Sequence, residues 1–366
     1  MSWASERARF PVLERYAYLN TGSFGPLARE TLQAMADVRE REAVRGRSGR
    51  RFSDEVWERR GRVRRLVAEQ IGVPAEHLAL ADSTTQAVQV VVLGLGLGPG
   101  EEVATTDAEH GGLAGPLIAS GATLQVAAVR GRAPGEILDA VLAAVTPRTR
   151  LLALSAVSWL DGAVLPWREL RDATGLPVLV DGAQAAGAVE VDARDADFFT
   201  VSAQKWLCGP AATGALYVRE PDRLPARLVG YAAMEAFDSS AGTWAPRAGA
   251  ARLDPSFTPA ASLAGLEAAL SHLQAGRFAR SRMLTERCRT LLLDAGVDVV
   301  TAAGQATLVA FRVPGDAAET SAQLHDRGVI VRDLPGTDLV RASVGWWNDE
   351  TDLERLVAAL REAQVR

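Results

Sequence analysis

Lysine is almost absent from this chain. Of its 40 basic residues, 39 are arginine and one, Lys205, is lysine. Arginine serves any surface charge, so the one retained lysine points to chemistry that arginine cannot do. A guanidinium stays protonated at any pH of interest, whereas an amine can lose its proton and form a Schiff base. Cysteine is scarce as well. The pair Cys208 and Cys288 excludes a disulfide framework and fits a reducing compartment. Long apolar runs are missing: Ala87 to Leu97 contains Gln89 and is too short to span a bilayer. The first sixteen residues carry Glu6, Arg7, Arg9, Glu14 and Arg15, which is no signal peptide. A soluble, cytoplasmic protein with no membrane partner is therefore expected. Net positive charge is missing too. The balance is −5, and the basic run from Arg45 to Arg65 is interrupted by Asp54, Glu55 and Glu58. It reads as a solvated helix face, and no nucleic-acid partner is expected.

What is present is an ordinary globular composition, 48% hydrophobic and 23% charged. The length of 366 residues suggests two domains. Short apolar runs alternate with helical patterns between residues 78 and 218, which indicates a mostly parallel sheet covered on both faces. A helix over Ser53 to Ile71 is expected, with Ser53 as its cap. Composition shifts to Gly, Ala and Pro near 242–259, after which Leu263 to Leu293 reads as one long helix or two. The rest reads as a smaller α+β unit closed by a helix over Asp349 to Gln364, with Asn348 as its possible cap. We expect a large domain over 17–245 and a small one formed by 1–16 and 246–366.

Lys205 lies in Val201-Ser202-Ala203-Gln204-Lys205-Trp206, just past a strand, where open parallel sheets place their ligands. Val178-Leu179-Val180-Asp181-Gly182-Ala183-Gln184 is an apolar strand ending in a carboxylate, which is costly to bury unpaired. A pyridine ring used as an electron sink needs an aspartate on its nitrogen and a lysine on its aldehyde. Asp82-Ser83-Thr84-Thr85-Gln86 opens a helix after a strand. It is an ordinary helix cap or a phosphate cradle, and it is not a Walker loop. Among His77, His110, His272 and His325, only His110 stands at a strand end beside glycines, where an imidazole can stack on a flat ring. Arg341, between small residues, can hold a carboxylate by a bidentate contact. No metal site is expected.

These motifs resemble the class V aminotransferase family of pyridoxal-phosphate (PLP) enzymes, from about Tyr18 to Leu360. Tyr18-Leu19-Asn20-Thr21-Gly22-Ser23-Phe24-Gly25 and Lys205-Trp206-Leu207-Cys208-Gly209-Pro210 lean toward its epimerase-like and lyase-like branch. The resemblance implies an α/β, PLP-dependent transferase fold (fold type I), with a seven-stranded-type sheet in the large domain. It implies PLP as cofactor and a small amino acid as substrate. Lys205 would carry the cofactor as a Schiff base and move the α-proton, and Asp181 would pair with the ring nitrogen. Gln184 would contact the ring hydroxyl, and His110 would stack on the ring. Ser83, Thr84, Thr85, Ser202 and Gln204 would hold the phosphate, with Thr258 reaching it from the partner of a homodimer. Arg341, Asn20 and Trp159 would line the substrate side. Three positions depart from the family pattern: Gln204 stands where His is usual, Trp159 where Asn is usual, and Phe257 where Gly precedes the threonine. The Val331 to Val340 loop carries no Cys, so a persulfide-forming desulfurase is not expected. β-Elimination at a C–S bond is favoured, then transamination, then racemisation. A binding protein without turnover is disfavoured by the complete Lys205–Asp181–His110 set.

Overall fold

The structure, a computed structural model, describes residues 2–364. After β1 (Ala17–Tyr18), seven strands build the main sheet: β2 (Leu78–Ala81), β3 (Glu102–Thr106), β4 (Thr123–Ala127), β5 (Thr149–Ser155), β6 (Val178–Asp181), β7 (Phe198–Ser202) and β8 (Gly214–Val218). Their order is β2-β8-β7-β6-β5-β3-β4. Only β8 runs against its neighbours, so the expected mostly parallel seven-stranded sheet is present.

Alternation along each strand divides the core into two layers. Leu152, Leu154, Val178, Val180, Phe199 and Val201 face one cluster, with Val63, Val67, Trp167 and Leu170 of the covering helices. Leu151, Ala153, Leu179 and Phe198 face the other, against helix Thr84–Leu95 and Leu113 and Leu117. Both faces being covered explains why these strands read as unbroken apolar runs.

A hairpin of β9 (Met234–Asp238) and β10 (Thr243–Pro246) projects with nearly all its residues exposed. The C-terminal unit holds β11 (Leu308–Arg312), β12 (Val329–Ile330), β13 (Arg332–Asp333) and β14 (Leu339–Ser343). β14 lies antiparallel between β11 and β13, and β12 pairs with β1. Its core joins Leu284, Cys288, Val309, Phe311, Val340 and Leu356 to Ala17 and Leu19.

Two expectations change in detail, and a third, left open as one helix or two, is resolved. The helix expected from Ser53 begins at Gly49, because Ser48 already has extended geometry and Ser53 falls inside the first turns. The segment 263–293 is two helices, Ala260–Ser271 and Arg277–Asp294, split where Gly276 takes φ +77. Asn348 turns its Oδ1 back to the Gly345 N–H at 2.9 Å, and its Nδ2 donates to Asp352 at 2.8 Å. No helix among the described residues is long and apolar enough to cross a membrane.

Candidate active site

Five strand ends converge on one cleft. β6 ends at Asp181, β7 at Ser202, and β2 leads into helix Thr84–Leu95. β3 leads to His110, and β5 leads to Ser158 and Trp159. Because β2, β3, β5, β6 and β7 are parallel, all these residues emerge on the same edge, as ligand sites of open α/β sheets do.

Asp181 is buried. Its Oδ1 accepts from the Ala183 N–H at 2.8 Å and the Thr200 hydroxyl at 3.3 Å. These contacts fix the carboxylate and leave Oδ2 for a ligand proton. Lys205 is half-buried on the turn after β7. Burial pulls its amine down to about 8; Asp181 opposes that shift, and Arg341 adds to it. About a tenth to a fifth of the lysine is therefore neutral near physiological pH, far more than for an ordinary amine. The lysine turn is held by Gly25, whose N–H donates to the Gln204 carbonyl at 2.8 Å. A Cβ on Gly25 would lie 2.0 Å from the Lys205 carbonyl oxygen, so no larger residue fits there. His110 caps helix Gly111–Ala119: its Nδ1 accepts from the Gly112 N–H at 3.0 Å, which leaves the other ring nitrogen as the donor in the neutral form. The residue is partly exposed, and its ring meets Trp159 edge-on at 5.1 Å. Burial, reinforced by Lys205, lowers the imidazole's pKa.

The expected phosphate residues gather at the N-terminus of helix Thr84–Leu95. Ser83 caps it, with its hydroxyl accepting from Gln86 N–H at 3.2 Å. Thr84 Oγ1 sits 3.1 Å from Ser202 Oγ and 3.3 Å from Thr200 Oγ1, while Thr85 is exposed beside Gly112. Hydroxyls and free N–H groups at a helix start suit a phosphate. Gln204 stands near with a buried Oε1 that has no partner. Rotation of its amide would present N–H instead. Thr258 is buried and donates to Asp82 of its own chain at 3.4 Å, immediately before this turn. Gln184 is engaged at both ends. Its Nε2 donates to the Gly22 carbonyl at 2.9 Å, and its Oε1 accepts from Trp206 at 2.9 Å. One amide hydrogen remains for a ring hydroxyl.

Arg341 is 2% exposed, and no carboxylate among the described residues pairs with it. Its guanidinium donates to the Trp159 carbonyl, and burial pulls it down to about 9. A Cβ on Gly22 would meet the guanidinium at 2.6 Å, so the glycine loop is shaped around this arginine. Around it, Asn20 Oδ1, Trp159 Nε1, Ser343 Oγ and Arg341 Nε are all buried without partners. Orphaned polar atoms cost about 1–3 kcal/mol each, so a cluster of them marks a place where a polar ligand belongs.

Sequence reasoning missed Glu109. Its carboxylate accepts from Thr106 at 2.7 Å and from the Ser155 N–H at 3.0 Å, tying the His110 turn to the end of β5 beside Asp181. Burial, with a further push from Asp181, raises its pKa to about 7. Its position directly before His110 was visible, but the partner that ties it to the site, Ser155, comes from another strand. Both thiols lie away from solvent. Burial raises the Cys208 thiol far above its ordinary value and the Cys288 thiol to about 12. Among the described residues no group of three His, Cys, Asp or Glu is placed to hold a metal.

A lysine and an aspartate at adjacent strand ends, a histidine beside the cleft and a helix-capped hydroxyl nest are the features of a fold type I PLP enzyme. The aminotransferase class-V family model matches residues 17–356, and the chain belongs to that family. It is 30% identical to isopenicillin N epimerase of Streptomyces clavuligerus over 98% of this chain and 97% of that protein. It is 27% identical to a probable cysteine desulfurase of Xylella fastidiosa over 98% and 94%. Among solved structures it is similar to the cystine C–S lyase C-DES in complex with its product cysteine persulfide. That match has a TM-score of 0.90 and 25% identity, over 96% of this chain and 98% of that one.

Proposed function

We propose that this PLP enzyme cleaves a C–S bond in a small L-amino acid by β-elimination. When bound, PLP supplies an aldehyde that captures the amine and a ring that takes up the electron pair. The chain's residues do the rest. Arg341 binds the substrate carboxylate and so orients the Cα–H bond. Lys205, whose pKa of about 8 allows it to exchange a proton near neutrality, takes the proton from Cα. Asp181 holds a proton on the ring nitrogen. His110 covers one ring face, with Trp159 at its edge narrowing the pocket to small side chains.

The observation that carries the elimination reading is the placement of the two thiols. Cys208 and Cys288 are 4% and 1% exposed. With no accessible protein thiol to receive sulfur, sulfur leaves with the product. The likeness to a cystine C–S lyase supports the same reading. A cytoplasmic homodimer belongs to it as well, with exposed Tyr231 and Phe257, packed together beside Thr258, as part of the contact face.

The test is an absorbance titration of the holoenzyme with cysteine, cystine and alanine. Loss or shift of the imine band with sulfur amino acids alone, with pyruvate formed, is expected. Bleaching to a pyridoxamine-like band that a keto acid reverses would make it an aminotransferase. Proton exchange at Cα without net change would make it a racemase or epimerase. Absence of any band with added PLP would remove the whole reading.

A further inference from the structure

Glu109 takes no part in the chemistry assigned to Lys205, Asp181 and Arg341, yet it lies beside the residue that serves the ring nitrogen. It stands on the turn between β3 and helix Gly111–Ala119, directly before His110. The residue is half-buried, but its carboxylate points inward. One oxygen accepts from the Thr106 hydroxyl at 2.7 Å, and the other accepts from both the N–H and the hydroxyl of Ser155. Thr106 and Ser155 are buried, and strand register sets Ser155 directly opposite Asp181 on β6. Two inward carboxylates therefore share one end of the sheet, and the Asp181 charge pushes the Glu109 carboxyl up. No cation forms an ion pair with either of them among the described residues. The Lys205 amine does feel Asp181, but burial drives that amine toward its neutral form. Around Glu109, Thr106 on β3 and Ser155 on β5 are neutral, Asp181 on β6 is the acid, and His110 follows on its own turn. Lys205, Arg341 and Arg332 act on that imidazole. Both hydroxyl partners of Glu109 can turn. Against an ionised carboxylate they donate, and against a protonated one either can accept. The turn therefore holds both forms without leaving a polar atom unpaired, which an anchor of fixed charge would not need. Like charges this close resist ionising together, and a cation set against one relieves the other.

We propose that Glu109 is a positioning residue whose proton is exchanged against the charge of the cofactor ring. In the cofactor-free protein the Asp181 charge strengthens the hold of Glu109 on a proton. A protonated ring nitrogen seated on Asp181 cancels that repulsion, and Glu109 releases its proton to solvent. Its new charge then reinforces the hold of Asp181 on the ring cation, because the two effects are reciprocal. Ionisation also strengthens the contacts from Thr106 and Ser155, which fixes the His110 turn. This rests on the placing of Asp181 at the ring nitrogen.

Two measurements test the exchange. In the first, the cofactor-free protein is melted across the acid range as the native chain, Glu109→Gln and Asp181→Asn. Glutamine keeps the size of the side chain, accepts from Ser155 and donates to Thr106, so the turn stays filled. A carboxyl raised from 4.5 to about 7 by folding makes the native apoprotein lose stability as pH climbs through that window, with no further loss above it. Glu109→Gln lacks this loss, so its melting midpoint should gain a few degrees on the native one between those pH values. Asp181→Asn leaves Glu109 in place without its repeller, and part of the loss should vanish. In the second, 4-deoxypyridoxine phosphate is bound to the apoprotein in buffers of different ionisation heat. This probe has the ring and the phosphate but no aldehyde for Lys205. At pH 7 the native protein should release about half a proton more than Glu109→Gln. A one-unit shift at Glu109 makes the native affinity, relative to Glu109→Gln, rise about tenfold between acid and mildly alkaline pH. Parallel melting curves would show that Glu109 does not titrate in the window, and they would overturn the exchange. Equal proton release, or an affinity loss equal at every pH, would reduce Glu109 to a brace and overturn it too. A native apoprotein that does not bind the probe would remove the Asp181 assignment along with the exchange, whereas the melting curves judge the carboxylate pair without any cofactor.

Discussion

Replacing Arg341 with Met should separate binding from stability. The guanidinium is 2% exposed, has no carboxylate partner and has its pKa pulled down to about 9 by burial. At about 1.4 kcal/mol per pKa unit, its charged form is destabilised by about 5 kcal/mol in the ligand-free protein. Methionine of similar length removes that penalty. It also strips the Trp159 carbonyl of its donor, which returns about 1–3 kcal/mol. The cofactor-free variant should therefore be more stable by about 2–4 kcal/mol, a rise of a few degrees in melting midpoint. Its affinity for the amino-acid substrate should move the other way. Losing a buried charge-assisted contact costs about 2–5 kcal/mol, or about thirtyfold to several thousandfold in Kd. Scanning calorimetry of the apoprotein and spectral titration of the holoenzyme read the two effects separately. A midpoint that falls by several degrees, with substrate affinity within threefold of native, would refute the assignment. It would make Arg341 a structural residue.

Cofactor uptake by the apoprotein should rise with pH up to about 8 and then level, because only the neutral Lys205 amine attacks an aldehyde. The folded pKa lies below the unfolded one, so burying the charged amine destabilises the apoprotein below pH 8. That cost is relieved as pH rises from about 8 toward the unfolded value, and apoprotein stability should increase across that window. A rate still climbing at pH 10 would show an ordinary amine. The Cys208→Ala/Cys288→Ala protein should retain C–S cleavage within about threefold, after allowing for a packing loss of about 1–2 kcal/mol; a tenfold or greater loss in the folded variant would implicate a thiol. Gly25→Ala puts a Cβ 2.0 Å from the Lys205 carbonyl oxygen, and it should cost about 3 kcal/mol and displace the lysine turn. An unaltered imine band and melting midpoint would show that the loop gives way instead.

The chain's order along the sequence determined much of this protein. The central strands of the parallel sheet are short apolar runs; Asp181 ends one and Lys205 follows another. In a sheet whose strands share one direction, a residue placed just past a strand is also placed at the ligand edge, so local pattern was enough to find the pair. Ser83 was legible for the same reason, because a cap acts within three residues. The tertiary structure decided what depends on distance along the chain. Glu109 acquires its meaning from Ser155, 46 residues on, and the Gly22 loop from Arg341, more than 300 residues away. The exposed hairpin of β9 and β10 has no buried face, so it left no periodic signal. Nothing along the chain puts Glu109 near Asp181 until strand register sets Ser155 opposite Asp181. Register is fixed by packing across the sheet rather than by composition. A sequence names the residues able to carry charge; only the fold decides which of them are left without a partner, and those mark the ligand.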